Sequence, residues 1–266
     1  MKRSGIVFGT LVVLLGVVLL AINLGFVDNR IWNFFWPVLL VLVGVWFILR
    51  PRMRAGTLAT EQSSFPVNTA TEAEISLHYG AGRLNVGAST NPNELAGGRF
   101  TGGVLSNQSM QGTKAVLSLS TPSDIVFAGP WPEGSRGYEW QVGINPRLPI
   151  DLRLYTGANE ELLDLSGTQV KNLLVETGAS QTEINLPSAA GFTRATVKSG
   201  LASVIIRVPE GVSASINVAK SGLSGINVNP TRFPNVGDRY ESPDYQAAPN
   251  KAEIIIESGL GSVDIN

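Results

Sequence analysis

Two stretches, VETGASQTEINLP (175–187) and VKSGLASVIIRVP (197–209), repeat one pattern 22 residues apart. Anchored on Gly80, Gly157, Gly178, Gly200, Gly222 and Gly259, the pattern extends through most of the chain. The sixth residue after each Gly is aliphatic: Val86, Leu163, Ile184, Ile206, Val228 and Ile265. The fourth is apolar in four of the six units, the exceptions being Glu161 and Thr182. Upstream, offsets of three and five give Leu77 and Ile75, Leu154 and Leu152, Val175 and Leu173, Val197 and Ala195, Ile256 and Ile254. The Gly222 unit fits only with a slip of one residue, as Val218 and Ile216.

Period-two alternation on both sides of a glycine means two short strands, each with one buried face. Glycine between them can take positive φ in a tight turn, and a neighbouring hydroxyl can satisfy local backbone groups. A near-constant step of 21 or 22 residues across the central units is the mark of a solenoid, whose coils bury their apolar faces against one another. The predicted fold is therefore all-β over 72–266: a β-solenoid, with a single-stranded right-handed β-helix as its expected form. The step breaks twice. Between Gly80 and Gly157 lie longer strands that include Trp131 and Trp140, expected to plug the core. Between Gly222 and Gly259, residues 229–250 carry Pro230, Pro234 and Pro243 and read as an inserted loop. Its Phe233, Tyr240 and Tyr245 either form a contact surface or fold back over the solenoid; folding back is the preferred reading.

The amino terminus is of another kind. Residues 6–24 and 31–49 are each 19 residues without a charged side chain. As helices, each would span about 28 Å, close to the hydrocarbon thickness of a bilayer. With six residues between them they predict a transmembrane α-helical hairpin within 1–50, followed by a juxtamembrane linker over 51–71. A cleaved signal peptide is disfavoured, because a second apolar span follows at once and no Ala-x-Ala-like site is present. Lys2 and Arg3 precede the first span and Arg50, Arg52 and Arg54 follow the second, while Asp28 and Arg30 cancel in the connection. The excess of positive charge places both termini in the cytoplasm, and Trp32 and Trp36 then anchor the outer interface.

Net charge is −1 and charged residues make up 15% of the chain, which gives no footprint for nucleic acid. There is no Cys and one His, excluding disulfides, thiolate chemistry and multi-histidine metal sites. The HYGAGRL stretch (78–84) resembles a phosphate loop only in its glycines; it is the first copy of the repeat and lacks a following helix. His78 falls at an outward strand position with no placed nucleophile. Asp164, Glu183 and Asp264 read as a solvated face. No catalytic residue, cofactor or metal site is expected, and the protein reads as a non-enzyme.

The hairpin LLGVVLLAINLGFVDNRIWNFFWPVLLVLVGVWFILR resembles the two-helix membrane module of LiaI/LiaF-type bacterial proteins. The stretch PIDLRLYTGANEELLDLSGTQVKNLLVETGAS resembles the C-terminal β-repeat, or toast-rack, domain of LiaF-like cell-wall-antibiotic response proteins and of adhesin-like proteins. The resemblance implies a membrane regulator of envelope stress that binds a two-component sensor kinase. LiaF-type members often carry four spans, whereas two are predicted here. Three functions are left open: a plasma-membrane regulator or scaffold with a cytoplasmic protein-binding surface, a self-assembling scaffold that pairs through an uncapped C-terminal coil, and an outward-facing adhesin-like module.

Overall fold

The computed structural model describes residues 59–122 and 138–266, together with Val41. The chain divides into two units, Met1–Arg54 and Ala55–Asn266. The expected spans, the interface residues Lys2, Arg3, Trp32, Trp36, Arg50, Arg52 and Arg54, and Trp131 lie outside the described residues. Among the described residues, no helix is long and apolar enough to cross a membrane.

The second unit is all-β and forms one open sheet. Six long strands carry the glycine repeat: β2 (Glu72–Ala88), β7 (Pro149–Asp164), β8 (Gln169–Asn185), β9 (Phe192–Arg207), β10 (Ser213–Val228) and β13 (Lys251–Ile265). A straight strand of 16 residues would extend about 53 Å. The four residues from 165 to 168 reach less than about 20 Å, yet β7 and β8 lie parallel and in register. Each strand must therefore double back at its glycine, giving two arms whose inner faces meet.

Burial follows that geometry. In β7, Ile150, Leu152 and Leu154 of the first arm and Leu163 of the second are fully buried. Stacking in register turns each sequence offset into a continuous core stripe. The offset-three stripe runs Leu77, Leu154, Val175, Val197, Ile256 and Val218 across neighbouring coils. The offset-six stripe runs Val86, Leu163, Ile184, Ile206, Ile265 and Val228. Parallel neighbours normally need a long crossover connection; here the opposite arm of the same coil is that connection.

The chain order of the coils is broken at both ends. Strands β5 (Lys114–Ser120) and β6 (Glu139–Ile144) pair with the first and second arms of β2 respectively. They are the two arms of one more coil. This coil accounts for the interrupted step between Gly80 and Gly157. On its outer side, β3 (Glu94–Thr101) pairs antiparallel with β6, and β4 (Leu105–Gln111) pairs antiparallel with β5. Strand β1 (Thr60–Pro66) pairs antiparallel with β3. The linker expected over 51–71 is corrected accordingly: its 60–66 segment is a strand. Phe65 supplies one buried side chain to it, the rest of the segment being polar enough to read as linker.

At the other end, the sheet order is β9–β13–β10. The C-terminal strand is thus paired on both sides, with β9 and with β10, and the expectation of an uncapped C-terminal coil is corrected. The end coil is β10. Its one-residue slip in sequence is a β-bulge between Val218 and Lys220, which keeps Ala214 and Ile216 in the core register of Ala252 and Ile254. Strand β13 buries Ala252, Ile254, Ile256, Val263 and Ile265, a set that needs a coil on each side.

The 229–250 segment closes part of that end. Strands β11 (Asn235–Val236) and β12 (Arg239–Glu241) form a small antiparallel ladder, and β12 pairs with Ser215 and Ile216 on the first arm of β10. Phe233 is fully buried and Tyr240 packs on the same core. Arg232 lies over the Phe233 ring and donates to the carbonyl oxygens of Val208, Pro209 and Val212. Phe233 is therefore a core residue that no partner can reach.

Candidate functional site

The repeat glycines form a ladder along the bend, and its chemistry differs from the turn expected. None of Gly157, Gly178, Gly200, Gly222 or Gly259 has positive φ. Their requirement is close approach. A Cβ on Gly157 would stand 2.3 Å from the carbonyl oxygen of Gly80, and one on Gly178 2.9 Å from that of Gly157. The contact continues from Gly200 to Gly178, Gly259 to Gly200 and Gly222 to Gly259. Each coil thus leans on the backbone of the next, and a side chain would separate them. Positive φ occurs two residues later, at Gly82 and Gly261.

Above the ladder runs an open trough of about 1090 Å³. One wall is the row of residues two before each glycine: His78, Tyr155, Glu176, Lys198 and Glu257. The His78 and Tyr155 rings stack with centroids 4.8 Å apart and planes 13° apart. Lys198 donates to Glu176 at 3.2 Å, and that contact raises the lysine's affinity for its proton. The residues just after the glycines change character along the stack. Ala81, Ala158 and Ala179 give way to Leu201, Leu260 and Leu223, which are 59%, 45% and 84% exposed. Register places Leu201 beside Leu260 and Leu260 beside Leu223, so these three form one apolar ridge at the β10 end.

The interior of the second arms holds a polar cluster centred on Glu161. Glu161 is buried on the second arm of β7, opposite Thr182 of β8. It accepts from Thr182 Oγ1 at 2.9 Å and from Asn159 Nδ2 at 2.7 Å. Burial pushes its carboxyl above the usual carboxylate range, against the hydrogen bonds that lower it. The signal was the pair of exceptions at offset four, Glu161 and Thr182, which the fold makes neighbours. Asp164 and Glu183 face outward; Glu183 pairs with Arg207 of the next coil. Tyr245 is partly buried beside Lys251, whose Nζ lies 5.7 Å from its ring. Phe233, Tyr240 and Tyr245 are thus divided between core and surface. Among the described residues, no group of three or more His, Cys, Asp or Glu is arranged to hold a metal ion.

These features define a class: an open, all-β stack of bent strands with a glycine ladder and a surface trough. The chain belongs to the toast-rack family, since residues 54–207 match its N-terminal domain (toast_rack, DUF2154). Residues 6–48 match the LiaI-LiaF-like transmembrane region, so the protein is a membrane protein. No curated protein matches the chain. Among solved structures, it is similar to a Clostridium sporogenes protein named for cell adhesion, at 21% identity and a TM-score of 0.69, over 78% of this chain and 98% of that one. A Bacteroides fragilis protein named as an adhesin also aligns, at 9% identity and a TM-score of 0.27, over 78% of this chain and 97% of that one.

Proposed function

We propose that the protein is a non-enzymatic regulator or scaffold of the bacterial cell-envelope stress response, anchored by a two-span hairpin with both termini in the cytoplasm. Its β stack binds a protein partner, for which a membrane sensor kinase of a two-component system is the leading choice. The observation that carries this reading is the junction of the two family matches. A LiaI-LiaF-like membrane region ending at 48 runs almost directly into a toast-rack domain beginning at 54. Such a connection tethers the β stack to the membrane in sequence, which raises the effective concentration of a membrane partner. The row of His78, Tyr155, Glu176, Lys198 and Glu257 offers that partner mixed charge and aromatic surface.

The test is cross-linking of the tagged full-length chain in its own membrane, followed by purification in detergent. Specific recovery of a sensor kinase, reduced by charge reversal at Lys198, supports the proposal. Recovery of no membrane signalling protein overturns it. A reporter fused after Asn266 is expected to be active in the cytoplasm. Activity only outside would favour an outward-facing adhesin-like module, a reading motivated by the Clostridium sporogenes neighbour.

A further inference from the structure

The two arms of β10 end differently. The first arm accepts an antiparallel strand from its own chain, β12, at Ser215 and Ile216. The second arm, Leu223–Val228, pairs on one side with β13. Its other side pairs with no strand among the described residues. An open row of backbone donors and acceptors invites another strand, and proteins usually blunt such edges with charge or proline. From Gly222 to Asn229 there is neither a charged residue nor a proline.

The outer edges at the opposite end are less inviting. Strand β1 carries Glu61 and ends in Pro66. Strand β4 buries neither face, so a strand added to it would gain no core. The free arm of β10 is backed by the apolar ridge of Leu201, Leu260 and Leu223 and by inward-facing Ile226 and Val228.

We propose that this arm pairs antiparallel with the same arm of a second copy, around a twofold axis. The choice of a second copy rests on charge. Twofold pairing sets a segment against its own reverse, so a charged residue would face or flank its own like charge. The arm from Gly222 to Asn229 has none. Its short side chains at Ser224 and Gly225 also let two backbones approach, and a Cβ added at Gly225 would meet nothing within 4 Å. The Leu223 side chains of both copies are then partly covered. This pairing is independent of any kinase partner.

The chain has no Cys, so an introduced thiol reports unambiguously. In the full-length protein in its native membrane, Leu223→Cys, Gly225→Cys and Asn227→Cys, made one at a time, sample the outward positions of the arm. At least one is expected to give a disulfide-linked dimer on mild oxidation, at several-fold the yield of Leu105→Cys on β4. In detergent, Leu223→Lys combined with Asn227→Lys is expected to halve the protein mass measured by light scattering while leaving the β-sheet circular dichroism intact. No position exceeding the Leu105→Cys yield would overturn the proposal, as would cross-links only to a different protein. A dimer mass unmoved by the double-lysine variant would also overturn it, because the association would then lie elsewhere.

Discussion

The two ends of the stack solve the same problem unequally. At the β5/β6 end, Trp140, Phe100 and Tyr79 close the core: Trp140 meets the Phe100 ring edge-on and the Tyr79 ring at a tilt, each with centroids 5.1 Å apart. All three are buried, and β3 and β1 add further strands outside. At the β10 end, Phe233 and Arg232 plug one arm, while the second arm ends on Leu223 in solvent. An open stack of strands needs its ends covered because the terminal strands cannot bury their own faces. Here one end is capped with aromatic side chains and extra strands, and the other is capped over half its width. The difference leaves one end covered and the other with an unpaired strand arm among the described residues.

The sharpest way to break this comparison is to truncate one large side chain at each end. Trp140→Ala removes a fully buried ring and should cost about 3–5 kcal/mol. Leu223→Ala should change stability by less than about 0.5 kcal/mol in the separated monomer. Denaturant titration of the two variants, followed by far-ultraviolet circular dichroism, checks both. Equal losses would mean that Leu223 is covered in the folded chain and that the ends are alike.

The glycine ladder gives a second contrast. Gly178→Ala sets a methyl group against a backbone oxygen at 2.9 Å, between two coils that cannot part freely. A cost of about 1–3 kcal/mol is expected, as for overpacking elsewhere. Gly225→Ala, on the free arm, meets nothing and lacks positive φ, so it should be neutral or stabilising by up to about 1 kcal/mol. The melting temperatures of the pair should therefore move in different directions, or one should stay still while the other falls.

Much of this was legible in the residues, for a physical reason. In-register parallel stacking sets equivalent offsets side by side, so the stripes from Leu77 to Ile256 and from Val86 to Ile265 can be traced in the residues alone. The slip at Val218 was legible as well, and the structure resolves it as a bulge. Coil order was not. Equal offsets say that β9, β10 and β13 can stack, but the 22-residue excursion over 229–250 is long enough to let β13 enter on either side of β10. The role of the glycines was misread because positive φ and close backbone approach leave the same residue in the sequence. Strand β1 was hidden by its polar composition, while the Glu161 cluster was signalled only by the shared offset of Glu161 and Thr182.

The polar cluster separates the middle of the stack from both ends. Glu161 holds its proton more tightly folded than at its ordinary value of 4.5. Proton binding therefore favours the folded state. The stabilisation is complete below the ordinary value and is lost as pH rises through the higher folded one. Glu161→Gln keeps a neutral amide in the same place and should remove that part of the pH dependence, leaving the variant more stable than the parent at neutral pH. Thermal melts of both proteins from pH 4 to pH 8 would show curves converging in acid. Parallel curves would mean that the carboxyl stays ionised and that the buried cluster is held by charge.

The smallest effect belongs to the surface pairs that cross between coils. Arg83 and Glu160 meet at 3.0 Å with side chains 56% and 59% exposed. Such a pair gains little in water and is screened by salt. Arg83→Ala should cost no more than about 0.5 kcal/mol, less at high salt. Lys114 differs, because it reaches Glu74 at 2.9 Å and Asp151 at 3.1 Å. It therefore ties the outer β5 coil to two coils beneath it, and contact with Glu74 raises its proton affinity. Lys114→Ala should loosen β5 and β4 locally, seen as faster amide hydrogen exchange in those strands with little change at β8 or β9. If exchange accelerates equally across the stack, the β5/β6 coil is held as firmly as the centre and the covered end is part of one cooperative unit.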